Sequence, residues 1–220
     1  MKAFSGELKK VSILIISITM LLFVSTVQAA SISYFLDQSN VLIDGPNYVQ
    51  VTISDSTTVI GDIDFSVDVL SEAFSVSPGA NFGLQEFSFN FDDSIVVNAS
   101  DITNINPSTW MVTENQNAGG GFFKFDLQLD GTGSSRTELL SFSISGVDGD
   151  LISSYATGSS LNPSSSEFFA AHVAGFDLTE GVTSAQFAGS SLVPVPLPAA
   201  LWLFGSGLIA LAGFVRSKKR

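Results

Sequence analysis

Asp62-Ile63-Asp64-Phe65-Ser66-Val67-Asp68-Val69 is the stretch that decides the fold. Ile63, Phe65, Val67 and Val69 alternate with Asp62, Asp64, Ser66 and Asp68. An extended strand points successive side chains to opposite faces, so it puts all four apolar residues on one side and the carboxylates on the other. A helix would scatter both sets around its axis.

The same period of two recurs on either side of it. It runs through Tyr48-Val49-Gln50-Val51-Thr52-Ile53, Phe87-Ser88-Phe89-Asn90-Phe91, Phe123-Lys124-Phe125-Asp126-Leu127-Gln128-Leu129 and Leu140-Ser141-Phe142-Ser143-Ile144. β-Branched and aromatic residues fill these runs, as strands prefer. Turn signals separate them at Asp44-Gly45-Pro46-Asn47, Ser77-Pro78-Gly79, Asp130-Gly131-Thr132-Gly133 and Asp148-Gly149-Asp150. Short strands at this spacing predict an all-β, antiparallel β-sandwich of the jelly-roll or Ig/cohesin-like kind. Of the 19 Phe, 15 lie between Ser31 and Ser191 and would fill its interior. The expected core is Ile63, Phe65, Val67, Phe89, Phe125, Leu127, Leu140, Phe142 and Ile144. A hairpin is expected from 121–129 and 137–145, with Asp130 to Arg136 as its loop. Phe168 to Phe176 reads as a late strand, followed by one more short strand and a linker.

Two apolar ends flank this domain. Lys2, Lys9 and Lys10 precede the apolar stretch Val11 to Val24, 14 residues long, and Val27-Gln28-Ala29 fits the small-x-small rule for signal cleavage after Ala29. An uncleaved amino-terminal anchor is the alternative. At the other end, Leu197 to Val215 holds 19 residues without a charge. As a helix it would cover roughly 28 Å, close to the hydrocarbon thickness of a bilayer. Arg216, Lys218, Lys219 and Arg220 follow and mark a cytoplasmic end. A buried core helix is the alternative there. The expected organisation is therefore a signal peptide at 1–29, an exported domain at 30–190 and a tail at 191–220 with a transmembrane helix at 197–215.

Charge sorts with this organisation. The formal net charge is −12, yet seven of the nine basic residues lie in the two ends. Between them stand Lys124 and Arg136 against twenty carboxylates, a net of −18. Such a domain lacks the basic footprint that nucleic-acid binding requires, and it is repelled by anionic membrane surfaces. The absence of cysteine excludes thiolate catalysis and Cys-based metal sites.

Candidate chemistry between the ends is sparse. His172 is the only histidine, is expected at the surface or its rim, and no Gly-x-Ser-x-Gly elbow accompanies it. Asp62, Asp64, Asp148 and Asp150 are the candidate calcium ligands, because Ca²⁺ takes six to eight oxygens, although a solvated acidic face is the simpler reading. Paired carboxylates for glycoside hydrolysis would need a cleft that a sequence cannot establish. Trp110, Tyr34, Tyr48 and Tyr155 could stack on sugars, against the simpler reading of a core tryptophan. Gly119-Gly120-Gly121 lacks the Lys-Ser/Thr and helix of a phosphate loop. No cofactor and no enzymatic activity are expected.

Val195-Pro196-Leu197-Pro198-Ala199-Ala200-Leu201-Trp202-Leu203-Phe204-Gly205-Ser206-Gly207-Leu208, with its basic end, resembles the VPLPA-type PEP-CTERM sorting signal of Gram-negative bacteria. Leu197 stands where the commoner form of that signal has Glu. The Phe-Ala-Ala-His-Val stretch at 169–173 also resembles late strands of exported domains carrying such tails. The resemblance implies processing near Val195, Pro196, Leu197 and Pro198 by an exosortase-type membrane enzyme. It further implies passage through the secretion machinery across the inner membrane, transient anchoring, and release to the cell surface or extracellular matrix, where exopolysaccharide is an implied partner. The alternative is a carbohydrate-binding or calcium-dependent adhesion module.

Overall fold

In the computed structural model, the described residues are 30–74, 78–122, 124–158, 166–177 and 181–192. They form two six-stranded antiparallel sheets. The first has the order β12-β1-β3-β4-β9-β6, from β1 (Ser31–Leu36), β3 (Val49–Asp55), β4 (Ile63–Val69), β6 (Ile102–Asn106), β9 (Leu139–Ile144) and β12 (Ser191–Leu192). The second has the order β2-β11-β10-β5-β8-β7, from β2 (Gln38–Ser39), β5 (Pro78–Phe89), β7 (Met111–Asn117), β8 (Lys124–Asp130), β10 (Phe169–Phe176) and β11 (Ser184–Gly189). The all-β expectation holds, and so does the late strand. The last strand lies just past the expected domain boundary at 190.

β4 behaves as its sequence dictates. Ile63, Phe65, Val67 and Val69 are all buried, whereas Asp62, Asp64 and Ser66 are partly covered and Asp68 is exposed. It pairs with β3 on one side and β9 on the other, Phe65 lying opposite Ile53 and Phe142. The Phe65 and Phe142 rings stack at 4.7 Å between centroids. Both reach across to the second sheet, Phe65 to Phe89 at 5.2 Å and Phe142 to Phe89 at 5.7 Å. Offset and tilted ring pairs of this kind add about 0.5–1.5 kcal/mol each beyond the area they bury.

Two expectations are corrected. β8 and β9 do not form a hairpin: β8 pairs with β5 and β7, and β9 pairs with β4 and β6 in the other sheet. Alternation specifies which face of a strand is buried, and that face is satisfied in either sheet. The connection crosses the edge of the sandwich and is pinned there. Trp110 Nε1 donates to the Ser135 carbonyl at 2.8 Å, and the Arg136 guanidinium donates twice to Gln85 Oε1 at 2.9 and 3.0 Å. The second correction concerns Phe125, which is buried outside the main core. With Ala118 and the partly buried Phe122 it covers Ala170 and Ala188. Phe169, Ala171 and Phe187 face the main core, so their neighbours Ala170 and Ala188 lie on the outer face of the second sheet. The other eight expected core residues are buried in the main cluster.

Candidate functional site

The outer face of the second sheet holds a group of interacting titratable side chains, His172, Glu86 and Asp130. Antiparallel register sets Gln186 opposite His172, His172 opposite Glu86, and Glu86 opposite Asp130. The turn between β7 and β8 folds back onto the Gln186 end of this row. A Cβ on Gly120 would press into the Gln186 side chain and reach Asn40 beyond it. Gly120 has φ +58°, and its lack of a side chain is what permits the approach.

His172 Nδ1 stands 3.7 Å from Glu86 Oε1, with 18% of the histidine side chain exposed. Its Nδ1 and the Gln186 Oε1 are buried without a hydrogen-bond partner. Burial pushes the Asp130 carboxyl above its usual range; the Glu86 charge adds to this and the His172 interaction opposes it. A raised carboxyl beside a histidine can hold a proton at higher pH than a free carboxylate. Acid–base groups alone are not a nucleophilic centre. Ser88, on the same face, directs its hydroxyl to Gln128 Oε1 at 3.5 Å. His172 Nδ1 makes no hydrogen bond that would fix the ring, as a triad requires. His172 was expected at the surface or its rim, and the structure places it on the outer face of the second sheet, partly covered.

The calcium candidates are not brought together. Asp64 accepts from Ser143 Oγ and Asp62 from Ser145 Oγ, both at 2.7 Å, on the outer face of the first sheet. Asp150 accepts from the buried Tyr155 hydroxyl at 2.5 Å. That phenol is pushed far above its usual range, first by burial and then by Asp150. Asp148 is exposed. Among the described residues no three His, Asp or Glu side chains are grouped to hold a metal ion. The four aspartates are thus corrected from a candidate cluster to separate groups, three of them already bonded to hydroxyls.

The aromatic platform is corrected too. Trp110, Tyr34, Tyr48 and Tyr155 are all buried, with Trp110 only 4% exposed. Tyr34 packs on Phe168 and Phe169, and Tyr48 on Phe74 and Phe187. Their faces are occupied by the core, the simpler of the two readings given above. Sequence reasoning missed Glu86, Asp130 and Gln186 as neighbours of His172. The polar positions were visible, but only the strand order makes them a row.

Ala29, the motif Val195, Pro196, Leu197 and Pro198, and the basic residues Arg216, Lys218, Lys219 and Arg220 lie outside the described residues. Among the described residues no helix is long and apolar enough to cross a membrane, and the run 197–215 lies beyond them. No protein-family model matches the chain, no curated protein matches it, and no solved structure matches it.

Proposed function

We propose that this chain is an exported cell-surface or extracellular-matrix protein, without enzymatic activity, whose acidic β-sandwich is cargo and whose tail is a sorting signal for an exosortase-type enzyme. One observation carries the reading: Val195-Pro196-Leu197-Pro198 precedes 19 uncharged residues and then four cations among the last five positions. The signal-like stretch at 1–29 and the strongly acidic domain between the ends agree with it. The cargo travels by the secretion machinery, is held for a time in the inner membrane, and meets exopolysaccharide outside.

The connectivity supports the finer fold as jelly-roll or cohesin-like. Among the described strands only three consecutive pairs share a sheet, β3–β4, β7–β8 and β10–β11, and every other connection crosses between the layers. Repeated crossing of this kind characterises double-sheet Greek-key folds. The buried aromatic faces and the hydroxyl-bonded aspartates leave the glycan- or calcium-binding alternative without a favouring arrangement among the described residues.

Mass spectrometry of the mature protein, from cells with and without the processing enzyme, tests the reading. The peptide ending at Arg220 is expected to disappear only when the enzyme is present. Its persistence in both would reduce the tail to a plain anchor.

A further inference from the structure

β1 enters the first sheet with Ser31 opposite Ser54, near the turn that joins β3 to β4. β12 runs antiparallel to β1, with Ser191 opposite Phe35 and Leu192 opposite Tyr34. The chain therefore leaves Leu192 heading for the same end of the sandwich, the end that carries the β3–β4 turn. The uncharged run begins five residues later, at Leu197. Five residues reach at most about 18 Å, even fully extended.

The turn lies at a matching height. Tyr34 is opposite Val51, so the level of Leu192 is three residues short of Ser54, or about 10 Å along the strand. Ser56 to Gly61 project beyond that. Headgroups add only about 5–7 Å outside the hydrocarbon on each side of a bilayer. With the strands near the membrane normal, the linker is too short to hold the turn clear of this layer.

The turn is built to present apolar side chains. Ser56-Thr57-Thr58-Val59-Ile60-Gly61 carries no charge. Ser56 N–H donates to the Asp62 carbonyl at 2.9 Å, and Asp62 N–H donates to the Val59 carbonyl at 3.2 Å. Ser56 Oγ accepts from the Thr58 and Val59 N–H groups at 3.2 and 3.3 Å. Gly61 completes the turn at φ +93°. Held this way, Val59 is half exposed and Ile60 fully exposed.

We propose that this end of the sandwich rests on the bilayer that the tail enters, with Val59 and Ile60 in the headgroup layer. The proposal depends on the anchored-tail reading above. Contact is shallow, because Asp55 and Asp62 flank the turn. It suits a zwitterionic surface, since those carboxylates are repelled by anionic lipid.

The chain has no cysteine, so single labels can be placed cleanly. Full-length Ile60→Cys, Ile43→Cys and Leu208→Cys would each carry a polarity-sensitive fluorophore and be reconstituted in phosphatidylcholine vesicles. Ile43 is 75% exposed in the loop before β3, at the opposite end. A blue shift at residue 60, quenched by a headgroup-level quencher and absent at residue 43, is the expected result. Equal aqueous emission at 60 and 43, with residue 208 shifted to the blue, would overturn the docking and leave the anchor standing. Aqueous emission at residue 208 would overturn the anchor reading and the docking with it.

Discussion

Gly131 is buried beneath the indole of Trp110, and any Cβ there would overlap the ring. Gly131→Ala should therefore destabilise the domain by about 1–3 kcal/mol, the usual cost of overpacking. Thermal unfolding reads this directly. Trp110 was open to two readings in the sequence because its setting, Asn106-Pro107-Ser108-Thr109, looks like a loop. Its partner Ser135 and its cover Gly131 arrive from a distant segment. Asp126 carries a second consequence. Burial raises its carboxyl above the usual range, the Phe91 N–H opposing and Asp93 adding; Asp130 is raised likewise. The folded state thus holds more protons than the unfolded chain between the ordinary Asp value, about 3.9, and the raised values. Stability from these groups should grow as pH falls through that window and be lost as pH rises through it. Asp126→Asn can still accept from Phe91 N–H. It should stabilise the protein at pH 7 by under about 1 kcal/mol, since the site is partly exposed, and flatten the dependence of Tm on pH.

Strands that are buried on one face were legible, because β4, β9 and the end of β5 write the pleat into their residues. β1 was legible in the same way, through Ile32, Tyr34 and Leu36, and alternation could have found it. β7 was not. Its residues Met111-Val112-Thr113-Glu114-Asn115-Gln116-Asn117 lie at a sheet edge and bury little, so no apolar period is imposed on them. The folded-back β7–β8 turn was hidden for another reason. Phe125 continues the alternation of Leu127 and Leu129, but it packs on the outer-face alanines. Phe125→Ala should loosen this turn and little else. Amide exchange is expected to quicken across 116–126 while β4 and β9 keep their protection. Ala188→Leu should lift the turn from beneath at a cost of about 1–3 kcal/mol, seen as a lower Tm.

At the scale of the molecule, a net charge of −18 between residues 30 and 190 means self-repulsion throughout. Raising sodium chloride from about 0.05 to 0.5 M shortens the Debye length several-fold and should raise Tm by a few degrees, measurable by calorimetry. An unchanged Tm would mean the carboxylates lie too far apart to matter. Fold class was legible because composition and period act along the whole chain. Strand order was not, because eight of the eleven connections between the described strands cross between sheets and a strand's pattern does not name its partner. The crossings also set a timetable. Phe87 in the centre of the second sheet pairs with Ala171, and Tyr34 pairs with Leu192. A chain made from its amino end cannot close either sheet until nearly all of it has been delivered. Distant pairings of this kind also fold slowly. The polypeptide should therefore stay open, and able to thread a narrow channel, for as long as its last strands are still to come.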